Sequence, residues 1–213
     1  MNARSPTKAQ QGFTLVEIVV VSLIVVIIAG GFLTAFLTGQ ASYLSSDSSI
    51  QVQYEARRAF DAMVRELRQA RANTGTAITT LPDGTKQLNF QVALGYNLVA
   101  TNPACPANDV CWGHEAQATT GWVHYSILGA AGNNRQLVRC LNTNEAGAVT
   151  QFAAATCRVM ANAIVTSVGV DNFAYDPVNR AVAITLQTQF THPGLPTGRY
   201  TAPRLTTQVR LRN

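Results

Sequence analysis

Between Phe13 and Leu37 the chain reads FTLVEIVVVSLIVVIIAGGFLTAFL, a run whose only ionisable side chain is Glu17. The next charge is Asp47. As a helix this run would rise roughly 38 Å, enough to cross the ~30 Å hydrocarbon core of a bilayer. It reads as a single membrane-spanning helix. Arg4 and Lys8 precede it with no acidic residue among them, which places the N-terminal tail in the cytoplasm and everything after Leu37 on the opposite side.

Composition agrees with a chain part of which avoids water. Apolar residues make up 47% of the 213 and charged residues 13%, against about 25% charged in ordinary soluble proteins. The length fits one compact domain plus an addition and excludes a large multidomain enzyme. The formal charge of +5 includes Arg4 and Lys8, so the remainder is too mildly basic to point to nucleic acid. A secretory signal is a poor match, because its apolar core spans only about 7–15 residues and the small cleavage-site residues come after it. Here the apolar run is longer and the small residue, Gly12, comes first. A cut at Gly12 discards a basic leader and leaves the helix on the product.

Gly12-Phe13-Thr14-Leu15-Val16-Glu17, behind a basic leader and ahead of an unbroken apolar run, resembles the processing site of type IV prepilins and pseudopilins. The resemblance covers the leader and the helix. It implies that a membrane-embedded prepilin peptidase cuts after Gly12 and methylates the new amine of Phe13, and that Glu17 serves filament assembly. The implied partners are that peptidase, other pilin or minor pilin subunits, an inner-membrane assembly platform and membrane lipid. No nucleic acid, metal or cofactor is expected, and no enzymatic activity. The implied location is the bacterial inner membrane, single-pass with the head in the periplasm, and then a pilus or pseudopilus at the cell surface.

Glu17 has a physical case of its own. An acidic side chain at the centre of a membrane helix costs at least about 2.5–3.5 kcal/mol. Cleavage at Gly12 would create an amine on Phe13, one turn away, and a carboxylate on one subunit would neutralise the amine of its neighbour in one axial register. The alternative is a carboxylate near the membrane surface that reaches water. Major pilins often bend this helix with a proline, yet none occurs between Pro6 and Pro82. Gly30-Gly31 is the local weak point, at about 1 kcal/mol per glycine relative to alanine. These features lie closer to a minor pilin or pseudopilin than to a major pilin.

In Tyr54–Arg71 the apolar residues Ala56, Phe60, Met63, Val64, Leu67 and Ala70 recur at spacings of three and four, the pattern of an amphipathic helix. Arg57, Arg58, Arg65, Arg68 and Arg71 are interleaved with Glu55, Asp61 and Glu66, which reads as a solvated face. The Ser-rich stretch 40–49 is the expected weak joint. Continuous from Phe13 to Ala72, such a helix would be on the order of 90 Å long. Asn73-Thr74-Gly75 is a stop signal. Beyond it, Gln87–Leu94, Trp122–Leu128, Gln136–Leu141, Ala161–Val170, Ala181–Phe190 and Leu205–Leu211 are strand candidates. Pro82-Asp83-Gly84 and Asp176-Pro177-Val178-Asn179 read as turns. The closing TTQVRLRN resembles the final strand of many minor pilins.

The expected organisation is a removed leader (1–12), a transmembrane half-helix (13–37), an exposed amphipathic half (38–73) and a β-rich head (74–213). This is an α+β, pilin-like fold with the long helix packed on an antiparallel sheet. All four cysteines, Cys105, Cys111, Cys140 and Cys157, lie in the head, and an even count in an exported region argues for disulfides. Cys105 with Cys111 would close a small loop and Cys140 with Cys157 a longer one, although three pairings are open. The tight pairs of a zinc site are absent. Of the polar residues, His114, Glu115 and His124 form the densest group, read as surface residues beside a disulfide loop. Asp171 and Asp176 are two oxygen donors without the acidic run of a calcium loop. Serine-hydrolase, zinc-protease and phosphate-loop motifs do not occur.

The resulting expectation is a minor pilin that primes or joins a helical filament. The nearest alternative is a J-type minor pseudopilin of a type II secretion system, and the alternative from another class is a membrane-tethered adhesin or binding module.

Overall fold

The computed structural model describes residues 13–115, 117–129, 135–166, 171–191, 199–201 and 204–212. The chain divides into two compact units, one up to Ser46 and one from Asp47 onward. The helix α1, Leu15–Leu67, contributes to both. Residues 40–49 are helical without interruption, so the serines do not break the backbone ladder, although the boundary between the units falls among them.

In the second unit α1 is followed by β1 (Thr76–Thr80), β2 (Lys86–Phe90), β3 (Val92–Tyr96), β4 (Val110–His114) and β5 (Gln117–Ala118). Next come β6 (Trp122–Leu128), β7 (Arg135–Asn142), β8 (Cys157–Ile164) and β9 (Phe173–Asp176). The last are β10 (Ala181–Leu186), β11 (Gln189–Thr191), β12 (Arg199–Thr201) and β13 (Leu205–Arg210). The principal sheet has the order β1-β2-β6-β7-β8, and smaller sheets are β13-β10-β9, β3-β4-β5 and β11-β12. The pairings between these strands are antiparallel. A long apolar N-terminal helix followed by antiparallel sheets is the α+β, pilin-like fold class.

The helix ends at Leu67 rather than continuing to Ala72, because strand-like pairing captures the backbone beyond it. Ala70 bridges Val92, the Ala93 amide donates to the Gln69 carbonyl, and the Arg71 amide donates to the Gln91 carbonyl. Asn73–Gly75 then forms a 3-10 turn. The same bonds divide the candidate strand 87–94, since Gln91 leaves the β2 ladder and its amide donates to Gly75. The candidate 181–190 is interrupted at Gln187, whose carbonyl accepts from the Val165 amide. The candidate 161–170 starts earlier, at Cys157, and β8 ends at Ile164; residues 167–170 lie outside the described residues. Thr76–Thr80 and Val110–His114 are strands that the sequence reading passed over.

The two faces of the principal sheet carry different chemistry. On one face Leu88, Phe90, Val123, Tyr125, Ile127, Leu137 and Ala161 are buried with Ala59, Met63 and Leu67 of α1. The amphipathic stripe thus packs on the sheet, with Phe60 and Val64 half-buried at its margin. Arg139 crosses this layer: its Nε donates to the Glu66 carboxylate at 3.0 and 3.1 Å, and its two terminal nitrogens donate to Glu115 at 3.0 Å each. The Tyr125 hydroxyl completes the group, donating to Glu66 at 3.1 Å. Burial and the Glu66 charge push the tyrosine pKa up, so it stays a donor.

The opposite face carries Gln87, Asn89, His124 and Ser126, all fully buried. Residues between Cys140 and Cys157, which pair as a disulfide, cover it: the Val149 amide donates to Gln87 Oε1 and Gln87 Nε2 donates to the Gly147 carbonyl, both at 2.8 Å. His124 Nδ1 lies 2.6 Å from Gln87 Nε2, so in a hydrogen bond between them the amide donates and the ring nitrogen of a neutral imidazole accepts.

A pH dependence follows from His124. Burial drives its pKa from the ordinary 6.5 down to about 4, against the smaller upward pull of the Asn144 and Gly147 backbone. The unfolded chain binds a proton near pH 6.5 that the folded chain refuses until about pH 4. Stability is therefore complete above that range and falls as pH drops through it, by up to about 3 kcal/mol. His114, also pushed down by burial, acts in the same direction. Urea titrations of the full chain in detergent near neutrality and near pH 4.5 should show the loss, and His124→Asn should remove most of it. An equal loss in the variant would assign the effect to other groups.

Candidate functional site

The N-terminal segment is built by simple local rules. Thr14 precedes the helix and its Oγ1 accepts the Glu17 amide at 3.3 Å, while its carbonyl accepts from Ile18 at 3.2 Å. Thr14 is thus an N-cap, and Thr-x-x-Glu is the sequence pattern of a capping box. Glu17, the third helical residue, also sits in the favourable field of the helix N-terminus. The sequence reading missed this local role for Glu17, although the pattern was there to be seen.

From Phe13 to Leu37 every side chain is exposed. Phe13 is 77% exposed. Among the described residues nothing covers the apolar surface of this unit, and its hydroxyls bond back to the helix: Ser22 donates to the Ile18 carbonyl at 2.7 Å, Thr34 to Gly30 at 2.9 Å and Thr38 to Thr34 at 2.9 Å. Such back-bonding suits an environment without water. α1 is long and apolar enough to cross a membrane, and its most apolar stretch is not buried within the structure. Gly31, Ala35 and Gly39 recur every four residues along it, a spacing that permits close approach of another helix. Gly12 and the rest of the leader lie outside the described residues.

The other sequence-derived candidates have structural employment. Cys105 pairs with Cys111 and Cys140 with Cys157. The first bond is buried with Ala118 against Leu94 and Leu98; the second joins directly opposed residues of β7 and β8. His114, Glu115 and His124 do not form one site, because the Glu115 carboxylate is taken by Arg139 and His124 is held by Gln87 on the far face of the sheet. The Asp176 carboxylate accepts from Val178, Asn179 and the Asn179 side-chain amide at 2.6–3.1 Å, which fixes the β9–β10 turn. Among the described residues no three His, Cys, Asp or Glu side chains are grouped to hold a metal.

An exposed apolar helix with one carboxylate in its first turn is suited to anchoring the chain in a membrane. Residues 7–33 match the family model for the prokaryotic N-terminal methylation motif. That match supports a type IV pilin-like protein, and proteins of that class are in general structural subunits rather than enzymes. No curated protein and no solved structure matches it.

Proposed function

We propose that the chain is a minor type IV pilin subunit that primes or joins a helical filament anchored in the inner membrane. The observation that carries this reading is the uncovered apolar surface of Phe13–Leu37 with Glu17 in its first turn, directly inside a methylation motif at 7–33. In the filament, other helices take the place of lipid around this segment. The Glu17 carboxylate pairs with the Phe13 amine of a neighbouring subunit, and the head from β1 onward stands outside the helical core. The absence of proline between Pro6 and Pro82 supports a minor rather than a major subunit. The strand-rich head also favours a second reading, a J-type minor pseudopilin of a type II secretion system; deletion strains separate the two, by lost pili in the first case and retained secreted proteins in the second.

Processing is the first test. Co-expression with a prepilin peptidase is expected to remove the first 12 residues and add a methyl group to the Phe13 amine, read by intact mass. Gly12→Leu should block cleavage, because the peptidase must seat the bond after residue 12 in a narrow site. An uncleaved wild-type chain would overturn the reading.

A further inference from the structure

A groove of about 670 Å³ runs between one flank of α1 and strand β8. Its apolar lining includes Ala59, Ala62 and Met160, and it is bordered by Arg57, Arg58, Arg65 and Arg158. All four arginines are exposed, and none of their guanidinium groups makes an ion pair or hydrogen bond with another described residue. Two carboxylates also line the groove, but Glu55 is engaged by the Asn162 side-chain amide at 3.2 Å. The guanidinium groups thus outnumber the carboxylates two to one over a short channel with an apolar lining.

We infer that this groove receives an extended, acidic segment of another protein, with carboxylates on the arginines and small apolar side chains on the apolar lining. Arg58 and Arg65 lie two helical turns apart on one face, separated by roughly 10 Å, and the lined stretch of α1 from Tyr54 to Arg65 spans about 16 Å. An extended chain advances about 3.3 Å per residue, so some five residues fill the channel. Guanidinium groups suit this task, because each presents a planar fork to a carboxylate.

The occupant is not a second copy of this chain. Its eleven acidic residues are dispersed through the sequence; Glu66, Asp83 and Glu115 are already in ion pairs, and Glu55 and Asp61 line the groove itself. Nor does the lining favour nucleic acid. Asp61 and Glu55 would face a continuous row of phosphates, and Tyr54 is the one aromatic side chain in the lining, whereas single-strand binding relies on successive stacking platforms. The inference concerns the purified chain and stands whether that chain works in a pilus or in a secretion system.

The test is fluorescence anisotropy on the full chain in detergent with a labelled peptide of alternating glutamate and alanine, beside a deoxythymidine oligonucleotide of matched charge. The peptide is expected to bind in a salt-sensitive manner. The triple variant Arg58→Gln, Arg65→Gln, Arg158→Gln should lose at least about tenfold in affinity. A control with the same charge change on exposed arginines elsewhere, Arg68→Gln, Arg204→Gln, Arg210→Gln, should bind like the parent. Lysine at the three groove positions should restore part of the affinity if charge matters, and less than all of it if the planar fork does. Absence of peptide binding, equal losses in the groove and control variants, or tighter binding of the oligonucleotide would overturn the inference.

Discussion

Glu17→Val is expected to enter the membrane and lose its first 12 residues as readily as the parent chain, yet to be depleted about a hundredfold or more from sheared filaments. Replacing a carboxylate with an apolar side chain makes insertion easier, so a defect in anchoring is not the anticipated outcome. Removing one partner of a buried pair leaves the other charge uncompensated at a cost of roughly 3–5 kcal/mol, and each ~1.4 kcal/mol is a factor of ten in recruitment. The capping geometry at Thr14 supplies the control. Thr14→Ala removes the N-cap at a cost of about 1 kcal/mol and keeps the carboxylate, so it should stay in the filament. Equal recovery of Glu17→Val and the parent in the sheared fraction would make Glu17 a local feature of the helix start, and so would a Thr14→Ala loss as large as that of Glu17→Val. The tethered-binder reading would then gain ground.

Much of the fold was legible because local physics writes it in short range. The apolar run, the three-and-four spacing from Ala56 to Ala70 and the alternation in Trp122–Leu128 each report a face that must be buried or kept from water. The element ends were less legible because their causes are distant. Nothing near Leu67 stops a helix; the strand pairing of Gln69–Arg71 with the 91–93 segment does, and that partner lies more than twenty residues on. The Glu66–Arg139 pair is separated by 73 positions, so its members read as two ordinary surface charges. Likewise Arg57, Arg58 and Arg65 read as a solvated face, because only the register of β8 brings Arg158 opposite them.

His124, which reads as a surface residue, lies instead with Gln87, Asn89 and Ser126 on a fully buried face. Alternating polar residues in a strand announce a second face, but whether water or another segment covers it depends on what the loops do. Here Gly147 and Val149, in the loop between β7 and β8, lie over that face. The cross-strand disulfide fixes both ends of that loop, which reduces the disorder it would otherwise lose on docking. Gln87 then supplies bonds to its middle at Gly147 and Val149.

Gln87→Leu should therefore destabilise the head by about 4 kcal/mol. The substitution is close in volume, but it strips partners from Ser126, bonded to Gln87 Oε1 at 2.8 Å, from the Val149 amide, and from those of the Gly147 carbonyl, Asn89 and His124 that its two amide protons serve. Each buried group left unpaired costs about 1–3 kcal/mol, less for those that regain water as the loop lifts. Removing the Cys140–Cys157 bond by paired alanine substitutions should cost about 3 kcal/mol, the size expected for a closed loop of this length. Because both devices hold one segment, the combined variant should lose less than their sum by about 1–3 kcal/mol: once the loop has detached, the second change has little left to remove. Urea midpoints of the four proteins in detergent, compared at constant m-value, give the coupling. Strict additivity would mean that the disulfide acts on β7 and β8 alone, and that Gln87 holds the polar face together without help from the loop closure.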